Sequence, residues 1–264
     1  CFSPERINPG DKKNQLKHLK EIVSANSKKS LIEAIKIYKR ITKDIVIADS
    51  IKSAEFAKIV ENSQRDINIS FMNEIYKICD VYKLNYNHVL DLCNTKWNFI
   101  NFKPGLVGGH CVPVDPYYLI EDLKKKRYST KLLSLSRKTN ELFVNYITKK
   151  LLKILRSIKI KKLLFCGVNF KNNVNDTRNS KYLLIYQYIK KKYKCDLFSN
   201  KINNSKQFSQ ILKNYNVYIF GSNKNNLDRL RKQILKEKKG KKTIVNILSN
   251  KKYIHSKNIE VINI

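Results

Sequence analysis

Glycine and proline are scarce in this chain, with seven and five residues respectively among 264. So few breakers exclude collagen-like and linker-rich low-complexity architectures and leave room for long regular elements. The six cysteines (1, 79, 93, 111, 166 and 195) include no Cys-x-x-Cys pair. That argues against a disulfide framework and a zinc knuckle, and fits a reduced, cytoplasmic compartment. His110 adjoins Cys111, but no further Cys or His lies at ligand spacing, so no metal site is expected. No apolar run approaches the roughly 18 residues of a membrane helix, and residues 1–20 lack the apolar centre of a signal peptide. No membrane partner is expected. The glycine-rich Gly-x-Gly-x-x-Gly turn that cradles a dinucleotide does not occur.

Arginine is scarce beside lysine, 9 against 45, and this bears on the formal net charge of +33. Such a charge invites nucleic-acid binding, yet arginine is the residue suited to bidentate phosphate and base contacts. The lysines are spread along the whole length rather than gathered in one stripe. Lys, Asn, Ile, Tyr and Phe, all with A/T-rich codons, are abundant together, so a biased genome accounts for the charge more economically than a specific nucleic-acid partner. A basic nucleic-acid-binding protein stays an alternative; it would bind with steep salt dependence. A hydrophobic fraction of 42% suffices for one large or two ordinary cores.

Three regions differ in pattern. Residues 1–51 hold an opening loop, Ser3 to Asp11, an apolar run at 21–23, a helical stretch at 30–41 and a second run at 45–48. Ser30 and Glu33 have the spacing of a capping box. This is the pattern of the tail of an α/β domain. The first residue is Cys, and Phe2–Arg6 reads like the middle of a fold, which predicts a fragment or the downstream part of a split gene. Residues 52–158 are helical: Ala54, Ala57, Val60, Ile67, Phe71, Ile75 and Ile78 recur at three- and four-residue steps, predicting one helix of more than 25 residues. Further helices are expected near 86–94, 116–126 and 130–156. Residues 159–264 alternate strands (162–168, 216–221, 243–248) with helices (180–193, 227–238), the pattern of a small doubly wound parallel-sheet domain. The polar stretch 199–210 reads as a loop.

Gly105, Gly108 and Gly109 fall within five residues, directly ahead of Cys111. A loop without side chains lets backbone N–H groups approach a ligand, and a thiol at its end, with Asp115 four residues on, has the makings of a nucleophile. A tight turn before a buried cysteine is the plainer alternative. Lys58 and Asn62, four apart on the long helix, share one face and suit an oxyanion; a solvated helix lysine is the alternative there.

Five blocks, taken in order, resemble the UDP-glucose/GDP-mannose dehydrogenase family of nucleotide-sugar dehydrogenases. They are Ser3–Asp11, Lys58–Asp66, Thr95–Phe99, Gly105–Leu119 and Asp176–Ser180. His110 before the cysteine, and Val114 to Tyr118 after it, resemble the branch acting on UDP-N-acetylglucosamine or UDP-N-acetylmannosamine, with UDP-glucose the alternative substrate. The resemblance implies an α/β protein: a C-terminal remnant of an NAD-binding Rossmann domain (1–51), a central helical substrate-binding and dimerisation domain (52–158), and a Rossmann-like UDP-binding domain (159–264). It implies oxidation of the C6 hydroxyl of a UDP-N-acetylhexosamine with NAD, for surface polysaccharide precursors. Cys111 would be the nucleophile, Lys58 and Asn62 would stabilise the oxyanion, Asp115 would assist proton transfer, and Glu5 would handle the hydrolytic water. Gly105, Gly108, Gly109 and Lys171 would contact the substrate and Arg178 the NAD. A homodimer through the long helix follows from the same resemblance. The family's NAD-binding glycine turn lies upstream of these blocks, so a separately encoded Rossmann half is one partner to expect, and a non-catalytic remnant of such an enzyme is the alternative.

Overall fold

The computed structural model describes residues 1–7, 18–171, 174, 176–198, 205–222, 225–237, 240–248 and 258–264. They form two compact units, Cys1–Arg65 with Val114–Leu133, and Asp66–Pro113 with Ser134–Ile264.

In the first unit, β1 (Lys20–Val23), α1 (Lys28–Tyr38) and β2 (Asp44–Ile47) make a single βαβ turn. The strands pair in parallel with Lys20 opposite Asp44 and Val23 opposite Ile47. The cap of α1 is Ser27, whose hydroxyl accepts from the Ser30 N–H at 3.1 Å. The expected box on Ser30 is therefore displaced by one turn, and Glu33 instead pairs with Lys36. Ile32 and Ile37 on α1, and Val46 and Ile47 on β2, are exposed. A two-stranded sheet with so much uncovered apolar surface is not stable alone. The unit is completed by α4 (Asp115–Lys125) and by the opening turns of α2 (Ile51–Val81), which Ser50 caps through the Ser53 N–H.

Helix α2 reverses the usual pattern. Its hydrophobic spacing predicts that Val60, Phe71 and Ile78 share a face, and they do, but all three are exposed. The buried face carries Asn62, Ser63, Asp66, Ser70 and Asn73 beside Ala54, Met72, Tyr76 and Cys79.

The second unit joins the remainder of α2, α3 (Tyr86–Cys93) and α5 (Lys131–Ser157) to a five-stranded sheet. Its strands are β3 (Leu163–Cys166), β4 (Cys195–Phe198), β5 (Val217–Phe220), β6 (Lys242–Asn246) and β7 (Ile259–Asn263), with helices α6 (Lys181–Lys190), α7 (Ser205–Asn214) and α8 (Asn225–Leu235) between them. All pairings are parallel, in the order β4-β3-β5-β6-β7, so the connection reverses direction at β3. Side chains alternate across a strand. Leu163 and Phe165 face a core shared with Phe143, Ile147, Leu151 and Leu155 of α5, and Leu164 and Cys166 face a second core under α8. The four α5 residues recur every fourth position and are at most 1% exposed; each such burial contributes about 1.5–3 kcal/mol.

Of the stretch 199–210, expected as loop, residues 205–210 belong to helix α7, and residues 199–204 lie outside the described residues. Strands β4 and β7 are additions to the expected pattern. Among the described residues no helix is long and apolar enough to cross a membrane.

Candidate active site

Within the first unit, α2 presents Lys58 and Asn62 one turn apart. The Lys58 ammonium donates to the backbone carbonyl of Glu5, while the Glu5 carboxylate accepts from the Ile7 N–H at 3.3 Å. Arg6 fastens the same segment, donating to the Lys20 carbonyl at 2.8 Å and to Glu61 at 2.7 Å. Asn62 is buried and donates its amide to the Asp115 carboxylate at 2.5 Å. Asp115 opens α4 with a proline behind it, so its negative charge sits where unpaired N–H groups and the helix dipole favour it. Asn62 thus orients the Asp115 carboxylate at the start of α4.

Glu21 on β1 was not expected to matter. It is 2% exposed, and Oε1 has no hydrogen-bond partner. Burial pushes its carboxyl above the ordinary range, Arg6 and Lys58 pull it back, and Glu5 and Glu61 push it further up. No sequence signal marks it, since a glutamate in a short apolar run reads as an outward-facing residue.

Within the second unit, the glycine–cysteine loop is fastened at two points. Gly105 is held by Asn73 of α2 in a reciprocal pair: the Gly105 N–H donates to Oδ1 at 2.8 Å and Nδ2 donates to the Gly105 carbonyl at 3.1 Å. Asn73 also donates to Asn140 at 2.8 Å, and Asn140 donates to Asp66 at 2.7 Å. Farther on, Gly108 and Gly109 lie against the β3–α6 loop. A Cβ on Gly108 would meet the Asn179 carbonyl oxygen and Phe170 Cβ at 2.9 Å; one on Gly109, where φ is +86°, would meet the Phe170 ring at 2.9 Å. The glycines first permit two protein segments to touch. Both Gly105 N–H and Gly109 N–H donate to protein acceptors, the latter to Arg178 O at 3.1 Å.

Cys111 follows, half-buried, with His110 exposed beside it. Lys171 is half-buried at the bend after Phe170. The Arg178 guanidinium grips Asp176 through Nε and a terminal nitrogen, at 2.9 and 2.6 Å. These hydrogen bonds hold Asp176 below the usual carboxylate range and raise Arg178, which lies within electrostatic reach of Cys111.

The structure thus groups Glu5, Lys58, Asn62 and Asp115 in the first unit, and Gly105, Gly108, Gly109, Cys111, Lys171 and Arg178 in the second. Sequence reasoning did not single out Asn73, Phe170 and Asn179, whose roles depend on contacts 32 to 70 residues away in the chain.

Comparison with known proteins accords with this arrangement. Residues 52–142 match the model of the UDP-glucose/GDP-mannose dehydrogenase family, central domain. The chain is 40% identical over 194 residues to protein CapL of Staphylococcus aureus, covering 72% of this chain and 46% of that protein. It is 38% identical over 204 residues to the UDP-N-acetyl-D-glucosamine 6-dehydrogenase of Salmonella typhi, covering 75% and 48% respectively. The chain therefore spans about half the length of the curated relatives it matches. In three dimensions it is similar to the UDP-N-acetyl-mannosamine dehydrogenase Cap5O from S. aureus, with a TM-score of 0.80 at 23% identity, covering 99% of this chain and 63% of that one. The corresponding Pyrococcus horikoshii enzyme gives 0.77 at 23%, covering 99% and 63%. These likenesses establish the α/β fold, and residues 52–142 belong to the UDP-glucose/GDP-mannose dehydrogenase family as its central domain.

Proposed function

We propose that the chain supplies the substrate-binding and nucleophile-bearing part of an enzyme that oxidises the C6 hydroxyl of a UDP-N-acetylhexosamine to the carboxylate. The observation that carries this is the Cys111 thiol, half-buried behind Gly109, whose backbone is fastened to Arg178 and Asn179. A cysteine so placed traps a C6 aldehyde: the thiolate adds to the carbonyl carbon, the resulting thiohemiacetal is oxidised to a thioester, and water cleaves it to the uronic acid and the free thiol. Lys58 and Asn62 stabilise negative charge on oxygen, Asp115 assists proton transfer, and Glu5 handles the water. Gly108 and Lys171 contact the substrate, and Gly105 and Gly109, whose polar backbone groups are engaged within the protein, hold that backbone in place.

A nicotinamide dinucleotide, when bound, would supply the hydride acceptor for both oxidations, with two molecules each taking one hydride from C6 per turnover. Arg178 offers it one cationic contact. The β1–α1 turn, however, reads Ser24-Ala25-Asn26-Ser27 and has no glycine to admit a pyrophosphate. The described residues do not make a dinucleotide cradle, so the NAD site belongs to a further segment or a separately encoded half, for which the exposed edge of β2 is a natural seat. The exposed stripe Val60, Phe71 and Ile78 on α2 supports a homodimer, since an apolar stripe left exposed along a helix suits a partner. The domains assigned from the sequence (1–51, 52–158 and 159–264) stay part of this proposal, as does a cytoplasmic location.

Calorimetric titration with UDP-N-acetylglucosamine and UDP-N-acetylmannosamine, together with NADH formation with and without an added dinucleotide-binding half, tests the proposal. Binding of a UDP-sugar with turnover only in the reconstituted mixture is the expected result. Turnover by the chain alone would refute the assignment of the NAD site elsewhere, and absence of any UDP-sugar binding would refute the function.

A further inference from the structure

Gly109 stands two residues before Cys111, and both polar groups of its backbone are taken by the β3–α6 loop. Its N–H donates to the Arg178 carbonyl at 3.1 Å, and its carbonyl accepts from Asn179 Nδ2 at 3.0 Å. Asn179 itself has φ +49°, in the left-handed region that asparagine enters more readily than most side-chain-bearing residues. Phe170 fills the space beneath Gly108 and Gly109.

The platform is braced independently of what it holds. The Phe170 N–H donates to the Asp176 carbonyl at 3.0 Å, and the Arg178 N–H to the Asp176 side chain at 2.9 Å. Ser180 caps α6 and donates its hydroxyl to the Val168 carbonyl at 2.5 Å, tying the loop to the end of the sheet. Two adjacent glycines are by themselves the freest hinge in the region. Here the peptide after Gly109, which leads into His110 and Cys111, is held by one side-chain amide mounted on a rigid support.

We propose that Asn179 is a positioning residue for Cys111: its amide fixes the Gly109–His110 peptide and so sets how the thiol is presented. Its functional meaning rests on Cys111 being the nucleophile; the physical coupling does not.

The test is alkylation of the intact chain by iodoacetamide, resolved by residue with mass spectrometry, in the wild type, Asn179→Gly and Asn179→Asp. Glycine keeps the left-handed backbone and removes the amide; aspartate keeps the backbone and replaces the donor with an acceptor. Exposed Cys93 is the internal reference. The expected result is a rise of about fivefold in the Cys111 rate in both variants, the change in a local opening equilibrium that one net hydrogen bond supports. Cys93 should be unaltered. With seven glycines in the chain, the Gly109 amide is traceable in an N–H correlation spectrum, and its resonance should move while the thermal midpoint stays put. Gly109→Ala, which drives a methyl into Phe170, should loosen Cys111 in the same direction. A Cys111 rate unchanged in both Asn179 variants would overturn the proposal, as would an equal rise at Cys93, which would mark general loosening. Alkylation needs neither sugar nor dinucleotide, so failure of the dehydrogenase function and failure of this coupling are separately visible.

Discussion

Asp66 of α2 and Arg137 of α5 meet at 2.5 Å with each side chain only 1% exposed. Burial raises the Asp66 carboxyl despite the pull of Arg137 and the hydrogen bond from Asn140. Arg137 also reaches Glu141 at 2.5 Å, and Glu141 in turn reaches Lys181 at 2.7 Å. A buried pair is weak evidence of net stabilisation, but breaking it strands a charge. Arg137→Met should therefore cost about 3–5 kcal/mol of unfolding free energy, and the double variant Asp66→Asn, Arg137→Met should recover much of it. Urea unfolding of the single and double variants checks this; a single-variant loss below about 1 kcal/mol, the range of exposed pairs, would show the pair to be effectively solvated.

Glu21 sets a pH dependence of known sign. Its folded-state carboxyl titrates above the ordinary value, so between the unfolded and folded values the folded chain holds the extra proton. Its contribution to stability is greatest below the unfolded value and is lost as pH rises through the folded one. Glu21→Gln, which cannot ionise, should raise the thermal midpoint near pH 7 by roughly 2–4 °C, the shift of a change of about 1 kcal/mol in a chain of this size, and should do little in acid. Thermal melts of both proteins across pH 4–8 decide it, and a stabilisation that grows toward acid would reverse the assignment.

The apolar stripe on α2 predicts self-association. Phe71→Asp and Ile78→Asp should each weaken a wild-type dimer by about 2 kcal/mol or more, as truncating a central interface residue does. Neither should unfold the chain, because both positions are exposed in the protomer. Sedimentation equilibrium measures both; a monomeric wild type at micromolar concentration would end the idea.

Lys58 should separate binding from chemistry. In the reconstituted enzyme, Lys58→Met should lower kcat about 10²–10³-fold, the loss typical of one oxyanion donor, with a much smaller change in KM. Steady-state NADH formation reads both. A variant in which KM alone rises would make Lys58 a ground-state binding residue instead.

The regular elements were largely legible because their signals are local. Helix α5 declares itself through Phe143, Ile147, Leu151 and Leu155, and β5 through an unbroken apolar run. What escaped was short or dilute. Strand β4 is four residues with one fully buried member. Helix α7 shows only Phe208, Ile211 and Leu212 among polar neighbours, and β7 is five residues in which Glu260 and Asn263 interrupt Ile259, Val261 and Ile262. The candidate site divides in the same way. Cys111 and its glycines announce themselves through composition, and Lys58, Asn62 and Asp115 through resemblance. Glu21, Asn73 and Asn179 act through partners that no spacing rule connects. Helix α2 misleads in an instructive way: periodicity correctly found its apolar face, but which face is buried depends on the partners available, and here Asp66 and Asn73 find theirs within the chain.

The fastening of Gly109 to Arg178 and Asn179 also constrains how this region can be rebuilt. Two loops from different parts of the sequence share one set of hydrogen bonds and one aromatic ring, so neither has a length or shape of its own. Grafting the cysteine loop of a relative into this chain would bring a backbone cut to fit another platform. Exchange of the segment 105–111 together with 169–180 should carry a relative's thiol geometry intact, where exchange of either piece alone leaves the graft without its support.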